Sequence, residues 1–357
     1  MDNQKLPDRK TYIDFLKIFA IYLVLFNHTG TKGFVLFTIR QDSILYPLYL
    51  FNSIFIKVAV PLFFMASGAL LLGKEESYRD LLVKRFLKYL FILFAASAIA
   101  YLYNCLRLKT QELSLTKFLK EIYTFRLTTA YWYLYAYLAY ILMLPLIRKM
   151  AKAMANRDFQ WMILMFGAIQ SLSVIDFIIW KGEASHNGFF SFFITTNYVF
   201  YPLAGYYIDK RLDKDAFSRR NLLLLTASSI MAIAICSFMT HYQCTLSGDW
   251  TEDHCQTFYN TLIFLPTITI FFAAKMWFMK HNPSCRVHKF ITAAGGTTFG
   301  IFLIEAICRN ETMPIFIWLN PLLHSLPACW IWIFTACICG GIFIWGLKHI
   351  PGISKFL

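Results

Sequence analysis

Residues 14–28 read DFLKIFAIYLVLFNH, an apolar run that begins with an aspartate and a lysine and ends with an asparagine and a histidine. The apolar part is typical of a membrane helix. Asp14, Lys17 and His28 are not, because ionisable groups inside lipid are costly and usually face a cavity or a partner. This segment therefore predicts a membrane fold and, on the same helix, a candidate site.

The whole chain has the composition of a membrane protein. It has 357 residues, of which 58% are hydrophobic, 18% aromatic and 15% charged, whereas soluble domains carry about 25% charged residues. Apolar runs near the ~20 residues that cross a bilayer recur along its length. We predict an all-α, polytopic integral membrane protein with a single membrane-embedded domain over residues 1–357.

Ten apolar segments are predicted to span the membrane. They cover residues 12–30, 46–73, 86–106, 129–147, 159–180, 189–208, 221–240, 258–279, 292–309 and 327–347. Lys and Arg concentrate in alternate loops, so the positive-inside rule places both chain ends in the cytosol. The long second segment is open to a break at Pro61. The segment SLTKFLKEIYTF (114–125) has the spacing of an interfacial amphipathic helix.

The charge and the cysteines exclude some classes of function. The net charge of +14 comes from short loops beside apolar runs, so nucleic acid is not an expected partner. No cysteine spacing fits a metal site, and no metal is expected. Cys244 and Cys255 bracket a polar segment, where a disulfide fits an oxidising exterior.

Eight ionisable side chains fall inside or at the ends of the predicted spans: Asp14, Lys17, His28, Lys57, Asp176, Lys275, Glu305 and Arg309. Asp176, Lys275 and Arg309 lie near span ends, so we expect them to snorkel to the headgroups. The others need a partner or a cavity.

Lys17 and His28 share one face of the first helix. They are eleven residues apart, and eleven steps of ~100° return to within ~20° of the starting direction, ~16.5 Å along the axis. Asp14 can pair with Lys17 at i, i+3. Two interpretations stay open: a functional site, or a snorkelling lysine and a histidine that hydrogen-bonds a neighbouring helix.

Five segments, in order, resemble the transmembrane acyltransferase-3 family and cover the chain from about residue 9 to residue 309. They are DFLK with His28, VPLFFMASGALLL (60–72), WYLYAYLAYILMLPLI (132–147), YPLAGYYI (201–208) and TFGIFLIE (298–305). In the family an arginine is commoner where Lys17 stands, and a histidine is common where Glu305 stands.

The resemblance implies an O-acyltransferase, usually an acetyltransferase. Its donor would be cytosolic acyl-CoA, and its acceptor a hydroxyl of a surface or lipid-linked glycan. The implied location is a cell membrane, most simply the bacterial cytoplasmic membrane, with lipids as neighbours and a homo-oligomer left open.

His28 is the predicted general base, because imidazole titrates near neutral pH. Glu305 lies at a similar predicted depth, ~20 Å against ~24 Å at 1.5 Å per residue, which permits a carboxylate–imidazole pair. The alternative is that Glu305 pairs structurally with Lys57 or Arg309.

The donor's phosphates call for cations. Four cations are predicted to bind the donor: Lys17, Lys84, Arg85 and Lys88. A basic cluster after a span also fits the positive-inside rule. Asp14 and Trp132 are given supporting roles.

A transporter or flippase of a glycan or small metabolite is the rival class, because buried charges in a multi-span protein also suit alternating access. Binding or slow hydrolysis of acyl-CoA would separate the two. A sensor is not expected, since the sequence shows no soluble output segment, and no GxSxG or HExxH motif indicates a protease.

Overall fold

The computed structural model describes residues 10–124, 127–181, 196–251, 261–281 and 283–356. Within these ranges the regular structure is helical, without strands, which confirms the predicted all-α class. The main helices are α1 (Thr11–Asn27), α2 (Tyr46–Ile56), α3 (Ala59–Leu71), α4 (Tyr78–Leu108), α5 (Leu115–Tyr123), α6 (Trp132–Ala153), α7 (Asn156–Trp180), α8 (Asn197–Tyr206), α9 (Arg219–Ser247), α10 (Phe264–Lys280), α11 (Cys285–Leu303), α12 (Glu305–Leu323) and α13 (Ser325–Leu347).

Each of the ten predicted segments contains a helix, but fewer helices have the length and hydropathy of a membrane span. In the described residues six do so: α2 with α3, α4, α6, α7, α9 and α13. The bent pair of α11 and α12 makes a seventh if it counts as one span. Helices α1 and α10 have 17 residues each. The count of ten and the side of the chain ends remain predictions.

The break in the second segment falls between α2 and α3, at Lys57 and Val58. Sequence reasoning placed it at Pro61, four residues later. A proline ring clashes with the carbonyl four residues before it, so Pro61 disturbs the helix at Lys57 and is itself tolerated in the first turn of α3.

The predicted span 292–309 is broken by a sharp bend. The chain leaves the helix at Ile304, and α12 departs from α11 at 94°. Glu305 is thereby the first residue of α12, where free backbone N–H groups and the helix dipole favour a carboxylate. Residues that the sequence placed in a loop after 309 continue α12 to Leu323.

Two local predictions on polar segments have different outcomes. The amphipathic segment does form a helix, α5, whose N-cap is the Ser114 side chain, bonded to the backbone N–H of Lys117. Cys244 is disulfide-bonded, and its predicted partner Cys255 lies outside the described residues.

Helix α1 lies at the centre of the bundle. It packs against α2, α3, α10, α11 and α13. Most of its apolar residues are buried, and the exposed Phe15 lies ~200° around the helix from Lys17. The polar side chains of α1 therefore face protein or an internal cavity rather than lipid.

Helices α3 and α8 cross at the closest approach that a glycine allows. A Cβ on Gly68 would lie 1.9 Å from the Pro202 carbonyl oxygen, and a Cβ on Gly205 would lie 2.1 Å from that of Met65. Small residues let helix backbones meet in this way in membranes. The segments 60–72 and 201–208, which carry much of the family resemblance, thus form one interface.

We expect Gly205→Ala to destabilise the protein by about 1–3 kcal/mol, because the added methyl forces α3 and α8 apart. The control is Gly346→Ala in α13, where a Cβ meets open space and should stabilise by about 0.5 kcal/mol. Thermal unfolding in detergent measures both. Equal midpoints for the two variants would contradict the close crossing.

Candidate active site

One cavity of about 750 Å³ runs along α1 and is lined by both Lys17 and His28. Residues of α3, α4, α6, α8 and α11, and of the segment after α13, complete its wall. Its volume lies within the roughly 300–1,000 Å³ of small-molecule and cofactor sites. Lys17 and His28 therefore face the same cavity, as their shared helical face predicts.

The two ends of the cavity differ in chemistry. Four cations line the Lys17 end: Lys17, Arg85, Lys88 and Lys348. The His28 end has a single described cation, Lys57, with the polar and aromatic neighbours Asn27, Trp132, Asn197 and Tyr198. Among the described residues of the lining there is no Asp or Glu, so the cavity suits an anionic ligand.

Aromatic rings form the middle of the cavity. The ring of Tyr89 lies 5.0 Å from that of Tyr137 and 5.5 Å from that of Phe299, and the rings of Tyr133 and Phe302 are 5.5 Å apart. Such edge-to-face packing makes a rigid wall. These rings separate the cationic end of the cavity from the histidine end.

His28 ends α1, where its backbone N–H bonds the Leu25 carbonyl. Its Nδ1 lies 3.5 Å from the Glu305 Oε2 atom, and the Glu305 side chain is only 2% exposed. This confirms the predicted proximity of the two groups; the role of Glu305 stays a prediction. A carboxylate beside Nδ1 favours the tautomer protonated there, which leaves Nε2 as the basic nitrogen.

Arg309 joins the same site. Its Nε and Nη2 atoms lie 2.6 and 3.2 Å from the two Glu305 oxygens, and its Nη1 donates to the His28 carbonyl at 2.7 Å. Arg309 therefore does not snorkel as the sequence predicted: a buried carboxylate one helical turn away gives it an interior partner. The i, i+4 spacing of Glu305 and Arg309 was the signal for this pair.

Lys17 is paired with Asp14, as predicted, with 3.2 Å between Nζ and Oδ1. Asp14 is buried against Gly295 of α11, where a Cβ would lie 2.5 Å from the Asp14 Cβ. The lysine side chain itself is 25% exposed and lines the cavity. Asp14 thus offsets the charge of Lys17 at the wall of the cavity.

Only some cations of the predicted basic cluster of α4 line the cavity. Arg85 and Lys88 line the cavity. The Lys84 side chain is 74% exposed and pairs with Asp80 at 2.8 Å, so its assignment to the donor is not supported. Lys84 precedes Arg85 by one residue, which turns it ~100° away on the helix.

Arg85 is held by Glu76, in the segment between α3 and α4. The Arg85 Nε atom lies 2.9 Å from Glu76 Oε2, and Arg148 donates to that oxygen at 2.7 Å. Arg85 first, and then Arg148, lower the pKa of Glu76 to about 2. Two guanidiniums on one carboxylate leave a net positive charge beside the cavity.

Lys275 also differs from its prediction. It does not snorkel, because its Nζ donates to the Ile208 and Asp209 carbonyls at 2.8 and 2.6 Å. Asp209 accepts in addition from Tyr12 at 2.5 Å and pairs with Lys10. This cluster ties the start of α1 to the turn that follows α8 and to α10, outside the cavity lining.

Trp132 and Lys57 lie where a supporting role is feasible. Trp132 begins α6 and lines the cavity with 37% of its surface exposed. Lys57 lies 4.6 Å from the centre of the Phe34 ring, a cation–π contact. In the described residues Glu305 pairs with Arg309 and His28 rather than with Lys57.

Comparison with known proteins covers nearly the whole chain. A family model with the description acyltransferase domain matches residues 10–349. No curated protein and no solved structure gives a significant match. In the ranges that the structure describes, no group of three or more His, Cys, Asp or Glu side chains is placed to hold a metal ion.

We expect Arg309→Met to lower the unfolding free energy by about 3 kcal/mol, because it leaves the Glu305 carboxylate buried beside an imidazole alone. The double variant with Glu305→Gln should regain part of this loss. Equilibrium unfolding in mixed micelles measures the cycle. Strictly additive effects of the two substitutions would contradict the pairing.

Proposed function

The chain belongs to the acyltransferase-3 family, and from this premise we propose that it is a membrane O-acyltransferase. It moves an acyl group, most simply acetyl, from acyl-CoA to a hydroxyl of an extracytoplasmic or lipid-linked glycan. The Lys17 end of the cavity faces the cytosol in this proposal, and the His28 end faces the acceptor. The membrane is the bacterial cytoplasmic membrane.

One observation carries the proposal: a single cavity has four cations clustered at one end and His28, with Lys57, at the other. The donor has phosphates at its nucleotide end and a thioester at the tip of a slender, uncharged arm. Lys17 and His28 are separated by ~16.5 Å along α1, a span comparable to that arm. The aromatic middle of the cavity supports the same orientation.

The chemistry requires a base at the thioester. His28 Nε2 takes the proton of the acceptor hydroxyl while the oxygen attacks the thioester carbonyl carbon. The carbon–sulfur bond of the tetrahedral intermediate then breaks. The imidazolium returns its proton to the leaving thiolate, so the products are the O-acyl ester and free coenzyme A. Proton and charge balance without a further reactant.

Glu305 and Arg309 act through His28. Glu305 stabilises the imidazolium that forms after proton transfer, as a carboxylate behind a catalytic histidine does. Arg309 orients both groups, since it contacts the carboxylate and the backbone carbonyl of His28. We assign Arg309 as a positioning residue.

His28→Ala should lower acyl transfer by at least ~100-fold, the typical contribution of a general base. Mass spectrometry of surface glycans from cells that express each variant measures the product. His281→Ala is the control, because His281 is exposed and bonded to the Trp277 carbonyl away from the cavity. Near-normal glycan acylation by a folded His28→Ala protein would refute the base assignment.

Glu305→Gln should lower kcat by roughly 10-fold or more and leave donor binding within about twofold, because the carboxylate acts on the charged imidazole rather than on the donor. Steady-state rates and acetyl-CoA affinity measure the two effects. An unchanged kcat would remove Glu305 from the mechanism.

A further inference from the structure

The segment after α13 enters the cavity. Lys348 and Phe356 line it together with Lys17, Arg85 and Lys88. The Lys348 ammonium donates to the Gly296 carbonyl of α11, and the Phe356 ring lies 5.0 Å from that of Phe91 on α4. The segment is thus anchored on two helices at the Lys17 end.

We propose that residues 348–356 complete the donor site and that Lys348 binds the donor's diphosphate together with Lys17. The inference rests on the proposed function and adds to it a residue and a segment outside the predicted donor cluster. Lys348 is not among the four cations that the sequence assigns to the donor.

The position of Lys348 supports this role. Gly296 follows Gly295, which packs directly against Asp14, so the Lys348–Gly296 bond lies beside the Asp14–Lys17 pair. Two lysines from opposite ends of the chain therefore reach one part of the cavity. Both lie near the depth at which the diphosphate would sit if the thioester reaches His28.

The positive charge of the cavity lining also supports the proposed role of Lys348. Lys348 is the fourth cation at this end of the cavity, beside Lys17, Arg85 and Lys88. Lys348 thus adds positive charge to a lining that has no described Asp or Glu.

The test compares two donors on the full-length protein in nanodiscs. Acetyl-CoA carries the phosphates, and acetyl-pantetheine carries the same thioester without them. Lys348→Gln should weaken acetyl-CoA binding by roughly 10-fold, the value of one charge-assisted contact, and leave acetyl-pantetheine binding unchanged. Lys348→Arg should restore most of the acetyl-CoA affinity. Lys355→Gln, on the same segment but outside the lining, is the matched control.

The outcomes separate the two levels of inference. A loss confined to acetyl-CoA, with rescue by arginine, supports the proposal. An equal loss for both donors would show a purely structural role for Lys348, and no loss would show no role; either result overturns the proposal. If the unaltered protein binds neither donor, the proposed function itself fails.

Discussion

The structure depends on the Glu305 carboxylate, which lies buried inside a membrane bundle. An isolated carboxylate in such a setting would be costly, and three features compensate it here. The helix breaks at Ile304, so Glu305 begins α12. Arg309 lies one turn later and binds both oxygens. His28 is on its other side, so the same pairing joins the end of α1 to α12.

At the opposite end of α1, a second buried carboxylate is also compensated by a neighbouring cation. Asp14 is buried where Gly295 lets α11 approach, and it holds Lys17 at the cavity. The interlocked glycines of α3 and α8 keep the facing wall in place. Charge compensation at both ends of one central helix thus creates a cavity with a cationic end and an imidazole end, and the proposed acyl transfer uses that asymmetry.

The features that depend on the residues of a single helix could be predicted from the sequence. The all-α class, the shared face of Lys17 and His28 and the Asp14–Lys17 pair follow from helical spacing and are confirmed. The features that depend on packing between helices could not be predicted in this way. The bend at Ile304, the contact of Arg309 with the His28 carbonyl, the partners of Lys275 and the approach of Lys348 depend on packing with other segments. A single sequence does not encode which of these segments lie close together. The position of Lys84 outside the cavity lining could not be predicted either, because charge composition alone ignores which side of α4 faces the cavity.

The central claim is that the donor lies along α1, with its phosphates at Lys17 and its thioester at His28. A cryo-electron microscopy structure with a non-hydrolysable acetyl-CoA analogue tests it most directly. We expect density through the cavity, with phosphates beside Lys17 and Lys348 and the acyl carbonyl carbon close enough to His28 Nε2 for an acceptor hydroxyl to lie between them. An analogue bound outside the cavity, or with its acyl end at Lys17, would contradict it.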